Sequence, residues 1–210
     1  MADFRSAAAE KIEPAASHVL RVPLFGSLIE RLDSDNRCVI MDLGPAQAAT
    51  VAFFNSFRCR LDIIDLPSEL ERIDAAADPL LLKEQAESVL PTHRNEATDI
   101  VLCWDLLNYM QRPLLTAVME RVAVRLQPGS LVHALIVYSS RHMPVSPGNY
   151  FPGNDSGGAD YLVNMPVTTE VREAPQYTPE TLLRCMPAYR VERAVLLSNG
   201  MQEFLFRFSG

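Results

Sequence analysis

The sequence predicts an α/β fold: one doubly wound, mainly parallel sheet that ends in an antiparallel hairpin. Short runs rich in apolar and β-branched residues alternate with stretches of helical periodicity, the pattern of a parallel sheet covered by helices on both faces. Most of these runs are nearly continuous in apolar residues, as strands buried on both sides are. Near the C-terminus two further runs flank Ser198-Asn199-Gly200-Met201, and Asn-Gly between strand-like segments is a strong hairpin signal.

In chain order, residues 17–32 (SHVLRVPLFGSLIERL) place apolar positions at helical spacing around Pro23. They read as a cap over the sheet or over the mouth of its cleft, with a dimer contact as the alternative. Residues 37–43 form the first strand, ending at Gly44. Residues 46–57 (AQAATVAFFNSF) are apolar on most faces and predict a buried helix. A second strand covers 59–66, a helix lies around 78–90, and a third strand covers 98–104. Residues 113–127 align Leu115, Val118, Val122 and Leu126 on one helical face. Gln127-Pro128-Gly129-Ser130 stops that helix, and 131–138 (LVHALIVY) is the next strand; His133 inside it reads as a satisfied core residue. Thr178-Pro179-Glu180 opens the last helix, and 190–197 with 202–208 make the hairpin.

Residues 139–177 hold four of the nine glycines and five of the fifteen prolines. A stretch of that length without a period reads as a functional lid or as partly disordered. One domain is expected, with a helical cap over 1–36, a cofactor-binding core over 37–138, an insertion over 139–177, and a C-terminal helix and β-hairpin over 178–210. Such a chain of 210 residues buries enough surface to need no staple.

The net charge is −7, from 26 acidic and 19 basic residues, and Lys11 and Lys83 are the only lysines. No basic stripe is present, which excludes a nucleic-acid binder resting on clustered cations. The longest apolar run, 131–138, is far short of a membrane span, and the N-terminus lacks the apolar core of a secretory signal. Cys38, Cys59, Cys103 and Cys185 show no metal-ligand spacing. They read as reduced, mostly buried thiols in a cytoplasmic protein.

Ligands of open α/β sheets bind at the carboxyl ends of the strands. Here those ends read Asp42-Leu43-Gly44-Pro45, Asp65-Leu66, Trp104-Asp105-Leu106 and Tyr138-Ser139. Pro45 suits the first position of a helix, whose N-terminus would face an anionic group. Asp65 ends the adjacent strand, where an acid accepts hydrogen bonds from ribose hydroxyls. Asp42, Asp65 and Asp105 would give the cleft a negative potential suited to a cationic ligand.

Asp42-Leu43-Gly44, Asp65, Asp99-Ile-Val-Leu-Cys-Trp-Asp-Leu-Leu-Asn-Tyr-Met, Leu126-Gln-Pro-Gly-Ser-Leu-Val and Tyr177-Thr178-Pro179-Glu180 together resemble the class I S-adenosylmethionine-dependent methyltransferases. The likeness runs from about residue 37 to the C-terminus. It implies a Rossmann-like sheet of seven strands, the last antiparallel, and S-adenosylmethionine as cofactor. Asp42, Gly44, Pro45 and Ala46 would shape the turn beside its methionine part. Asp65 would hold the ribose and Leu66 would lie against adenine. Trp104, Asp105 and Asn108 would line the methyl-transfer face, although Trp104 also reads as a core-filling ring. Only 34 positions separate Asp65 from Asp99, so the strand and helix that the family carries between these two positions are expected to be abbreviated, with Glu87 and Ser88 as candidate remnants of its adenine contacts.

Methyl transfer from a sulfonium needs mainly alignment in a closed site. Asp105 and His142 are the candidate acid–base groups, His142 because imidazole titrates near neutrality. Tyr150, Asp155, Asp160 and Tyr161 are further polar candidates on the insertion. The acceptor is expected to be a small molecule or a protein, with a homodimer as a partner and no metal. Ala46 and Ala48 stand where the family carries further glycines, which motivates the alternative of a catalytically degenerate binding or regulatory protein. Another nucleotide-binding α/β enzyme, the third reading, would need a fully parallel sheet.

Overall fold

The computed structural model describes residues 17–33, 37–73, 78–90, 96–153, 160–166 and 168–210. In chain order they form β1 (His18–Arg21), α1 (Pro23–Ile29), β2 (Cys38–Asp42), α2 (Ala48–Phe54), β3 (Cys59–Ile63), α3 (Leu66–Leu70) and α4 (Pro79–Val89). There follow β4 (Thr98–Leu102), α5 (Arg112–Ala123), β5 (Leu126–Val137), β6 (His142–Pro144), β7 (Asn149–Pro152), β8 (Tyr161–Met165) and β9 (Val171–Glu173). The chain closes with α6 (Pro179–Cys185), β10 (Tyr189–Leu196) and β11 (Met201–Phe208).

The central sheet has the order β10-β11-β5-β4-β2-β3. β3, β2, β4 and β5 run parallel, whereas β11 lies antiparallel to both β5 and β10. The doubly wound sheet with a closing antiparallel hairpin is thus present. Gly200 makes the hairpin turn at φ +82°, a backbone region that L side chains rarely adopt. The antiparallel β11 removes the basis for the fully parallel alternative. Among the described residues the sheet has six strands rather than the expected seven, and nothing pairs outside β3. The chain after β3 forms α3 and α4 instead. Glu87 and Ser88 lie exposed on α4, where Glu87 faces Arg121, so neither reaches the carboxyl ends of the strands.

One face of the sheet packs against α3–α6 through Leu66, Leu82, Leu115, Val118 and Leu182. The other packs against α1, α2 and the insertion through Leu24, Phe25, Leu28, Phe54 and Leu162. Helix α5 ends at Ala123, so Leu126 opens β5 rather than closing the helical face; Gln127-Pro128-Gly129 is drawn into the start of that long strand. Helix α2 departs from expectation more strongly. It spans Ala48–Phe54 rather than 46–57, and only Thr50 and Phe54 are buried, while Val51 remains 39% exposed. Pro45 precedes it in an extended stretch rather than occupying its first turn.

Of the expected cap over 1–36, residues 1–16 and 34–36 lie outside the described residues, and 17–33 are only partly helical. β1 pairs with β8 of the insertion, and α1 then crosses onto the sheet. No side chain of its own caps α1. Instead the backbone N–H groups of Leu24 and Phe25 donate to the carboxylate of Glu203 on β11, at 3.0 and 2.7 Å. His133 Nε2 lies 2.9 Å from the same carboxylate, and both side chains are fully buried. An acid at a helix N-terminus satisfies donors that the helix cannot. This network makes His133 a core residue, as its place in a strand suggested. The insertion has its own order: β7 and β8 form a hairpin completed by β1, and β6 pairs with β9. No helix among the described residues is long and apolar enough to cross a membrane.

Candidate functional site

Asp42 ends β2 in full burial. Its Oδ1 accepts from the Gly44 backbone N–H at 2.8 Å and from the Trp104 indole Nε1 at 2.5 Å. Burial pushes its carboxyl up to about 6, partly offset by these two donors. Trp104, just past β4, holds φ +49°, and its ring lies directly on Gly44. A Cβ added at Gly44 would meet indole Nε1 at 2.6 Å and Cδ1 at 2.7 Å. The glycine is therefore required by the chain's own indole in this conformation. Tyr150 from the insertion stacks on the same indole, with ring centroids 6.2 Å apart and planes 8° from parallel. Phe25 of α1 touches it from the core side.

Asp105 is also buried, and its Oδ2 accepts from the Gly148 N–H of the insertion at 3.1 Å. Its Oδ1 forms no hydrogen bond. Burial raises this carboxyl to about 7, with the neighbouring Tyr150 hydroxyl and the Gly148 amide only partly offsetting it. Tyr109 donates to the Ser146 carbonyl at 2.8 Å, so residues 146–150 are pinned across the ends of β2 and β4 at three points.

Beside this plug lies an open cleft of about 610 Å3. Pro45, Asp65 and Pro67 form its floor, and Tyr109, Ser146 and Arg172 form its far wall. Asp65 is held in the left-handed region at φ 51° as the residue before α3. Strain of this kind in a residue with a side chain recurs at ligand sites. Its Oδ2 accepts from Ser68 at 2.9 Å, and its Oδ1, out of contact with water, has no partner. That carboxylate can accept a hydroxyl from a ligand in the cleft.

Among the residues singled out from the sequence, Pro45 and Asp65 line this cleft, while Asp42, Gly44, Trp104 and Asp105 lie together behind the plug. Three others fall elsewhere. The Leu66 side chain is fully buried in the core against α4–α6, and Pro67 takes the cleft-facing place. Asn108 is likewise buried, its amide bonded to the carbonyls of Asp105 and Leu135 and to the Val137 N–H. It braces β5 and leaves no donor for a cofactor. Ala46 is exposed outside the cleft.

His142 is exposed on β6, opposite Glu173, in a separate shallow depression with Arg141 and Gln176. Alternation along the β6–β9 ladder puts Arg172 at the cleft and turns His142 away from it. Tyr150 joins the plug, Asp160 pairs with Arg21 at 3.4 Å, and Tyr161 pairs with the same residue in the β1–β8 ladder. Asp155 lies outside the described residues. Sequence reasoning missed Tyr109, Ser146 and Arg172. Tyr109 stands four positions beyond Asp105, within reach of a motif-based reading; Arg172 gives no local signal.

Neither a protein-family model nor a curated protein matches the sequence. Solved structures do. An S-adenosylmethionine-dependent methyltransferase from Clostridium acetobutylicum is similar over 89% of this chain and 91% of its own, with a TM-score of 0.50 at 12% identity. The 1,6-didemethyltoxoflavin-N1-methyltransferase of Burkholderia thailandensis is similar over 90% of this chain and 76% of its own, with a TM-score of 0.49 at 15% identity. The N-methyltransferase NodS of Bradyrhizobium japonicum covers 88% and 86%, with a TM-score of 0.46 at 14% identity. The first of these identifies the fold: the chain is built as S-adenosylmethionine-dependent methyltransferases are.

Proposed function

We propose that the protein binds S-adenosylmethionine in the cleft between Asp65 and Tyr109 and transfers its methyl group to a small-molecule or protein acceptor. The observation that carries this reading is Asp65: just past the end of a parallel strand, held in the left-handed backbone region, and lining the cleft. A carboxylate in that place fits a ribose hydroxyl. The cofactor would supply an electrophilic methyl group on a positive sulfonium. The chain's own part is to hold the ribose on Asp65, to shield the reacting end with Tyr109, Tyr150 and the 146–150 segment, and to keep Asp105 close to neutrality beneath it. Alignment and exclusion of water are the main contributions, and the absence of His142 from the cleft leaves them unaffected.

A second reading rests on Trp104. Its indole covers Gly44 and ties up Asp42, the two residues expected beside the methionine part, and this favours a catalytically degenerate binding or regulatory protein. Calorimetric titration with S-adenosylmethionine and S-adenosylhomocysteine tests the first reading. Binding that falls about tenfold or more in Asp65→Ala, in line with loss of a charge-assisted hydrogen bond, supports it. No detectable heat with a folded protein overturns it. Binding without methyl transfer to any component of a cell extract favours the second.

A further inference from the structure

A second cleft of about 560 Å3 adjoins the first and shares Tyr109 and Arg172 with it. Arg172 stands on the partition. Its Cζ lies 4.9 Å from the Tyr109 ring centroid, and its Nη2 donates to the Asn108 carbonyl at 3.0 Å. The guanidinium is thus held over an aromatic ring, with its remaining donors uncommitted. Arg112, also on the lining of this cleft, opens α5, which has no acidic residue in its first turn and no side-chain cap. Neither arginine forms an ion pair among the described residues. The Tyr177 hydroxyl, bonded to the Met110 carbonyl at 2.5 Å, lies within the field of both guanidiniums; burial raises its pKa and the two cations oppose that rise. Glu173, next to Arg172 on β9, is the one acid on this lining, against two arginines. Met110, Pro113 and Pro175 give the lining an apolar part beside the polar Asn108 and Gln111.

We infer that this second cleft is the acceptor site and that it takes a small organic acid, an apolar body carrying a carboxylate held between Arg112 and Arg172. Two guanidiniums on the lining of one cleft, one held over an aromatic ring, supply the forked donors with which arginine reads a carboxylate. Pockets of this size accommodate small organic molecules. Tyr109 divides the two clefts and would set the acceptor beside the cofactor. The inference extends the proposed methyl-transfer reading to its substrate class.

Benzoate and its neutral analogue benzyl alcohol are suitable probes, titrated calorimetrically into the full chain with and without saturating S-adenosylhomocysteine. Benzoate should bind more tightly than benzyl alcohol and weaken about tenfold or more in Arg112→Gln and Arg172→Gln, as expected for loss of a charge-assisted contact. Melting temperatures check that each variant is folded. Equal binding of the two probes, or benzoate binding unaffected by either substitution, overturns the inference. A third arm separates the acceptor from the cofactor's own carboxylate. If Arg172→Gln weakens S-adenosylhomocysteine but not 5′-methylthioadenosine, which lacks the amino-acid part, Arg172 serves the cofactor and the inference fails. Benzoate binding that persists without any binding of S-adenosylhomocysteine would overturn the methyl-transfer reading while leaving the anion site in place.

Discussion

The indole N–H of Trp104 donates to the carboxylate of Asp42 at 2.5 Å, directly over Gly44. Trp104→Phe removes that donor and leaves a buried carboxylate with one hydrogen bond fewer. The variant should lose about 1–3 kcal/mol of stability at pH 8, the usual cost of stripping a partner from a buried polar group. Urea denaturation measures this. Gly44→Ala should cost a similar 1–3 kcal/mol or so, because the new methyl overlaps the indole. Combined with Trp104→Ala, the glycine substitution should cost less than it does alone, which a double-mutant cycle reads directly.

Asp42 and Asp105 are held by burial at about 6 and about 7, above the usual carboxylate range. The native state therefore keeps protons that the unfolded chain releases near pH 4. Their contribution is fully present below about pH 4 and falls as pH rises through the two native values. Unfolding free energy measured from pH 5 to 8 should decline by an amount on the order of a few kcal/mol. Asp105→Asn should flatten the upper part of that decline and be more stable than the parent at pH 8. An unchanged profile in this variant would remove Asp105 as the titrating group.

Arg125 Nη2 and Asp62 Oδ2 are 2.7 Å apart, with both side chains about 95% or more buried. Arg60 reaches the other Asp62 oxygen at 3.1 Å. Asp62→Ala strands the Arg125 charge and should destabilise by about 3–5 kcal/mol, the range for breaking a buried pair from one side. Replacing both partners with apolar residues should recover much of that loss.

Glu203→Ala removes the acceptor for Leu24 and Phe25 and the partner of His133 in one step. Leaving two buried backbone N–H donors without an acceptor predicts a cost of about 2–5 kcal/mol. Amide hydrogen exchange should accelerate first in α1 and β1.

The alternation of strands and helices, the Asn-Gly hairpin and the helix begun at Thr178 were legible because each is set by local pattern or turn chemistry. The burial of α2 was not. AQAATVAFFNSF reads as a core helix, yet only Thr50 and Phe54 are turned fully inward, and composition alone cannot say which side receives a partner. Leu66 and Asn108 follow motif positions correctly but face the core, since sequence spacing places a residue on an element without setting its side-chain direction. Arg172 was out of reach for a different reason: β9 meets the cleft only through its pairing with β6, thirty positions earlier in the chain.

The pairing of His18–Arg21 with Tyr161–Asn164 closes a ring of chain that contains nearly the whole parallel core. Such a ring can be completed only after that core has formed, because the entropy of joining distant segments is repaid only when both lie in place. The three-stranded sheet, which carries Tyr150 onto Trp104 and Asn149 to the cleft edge, is therefore a late arrival in folding and an early departure in unfolding. A newly made chain would acquire a sheet, a hairpin and an exposed strand-end cleft before it acquired the cover.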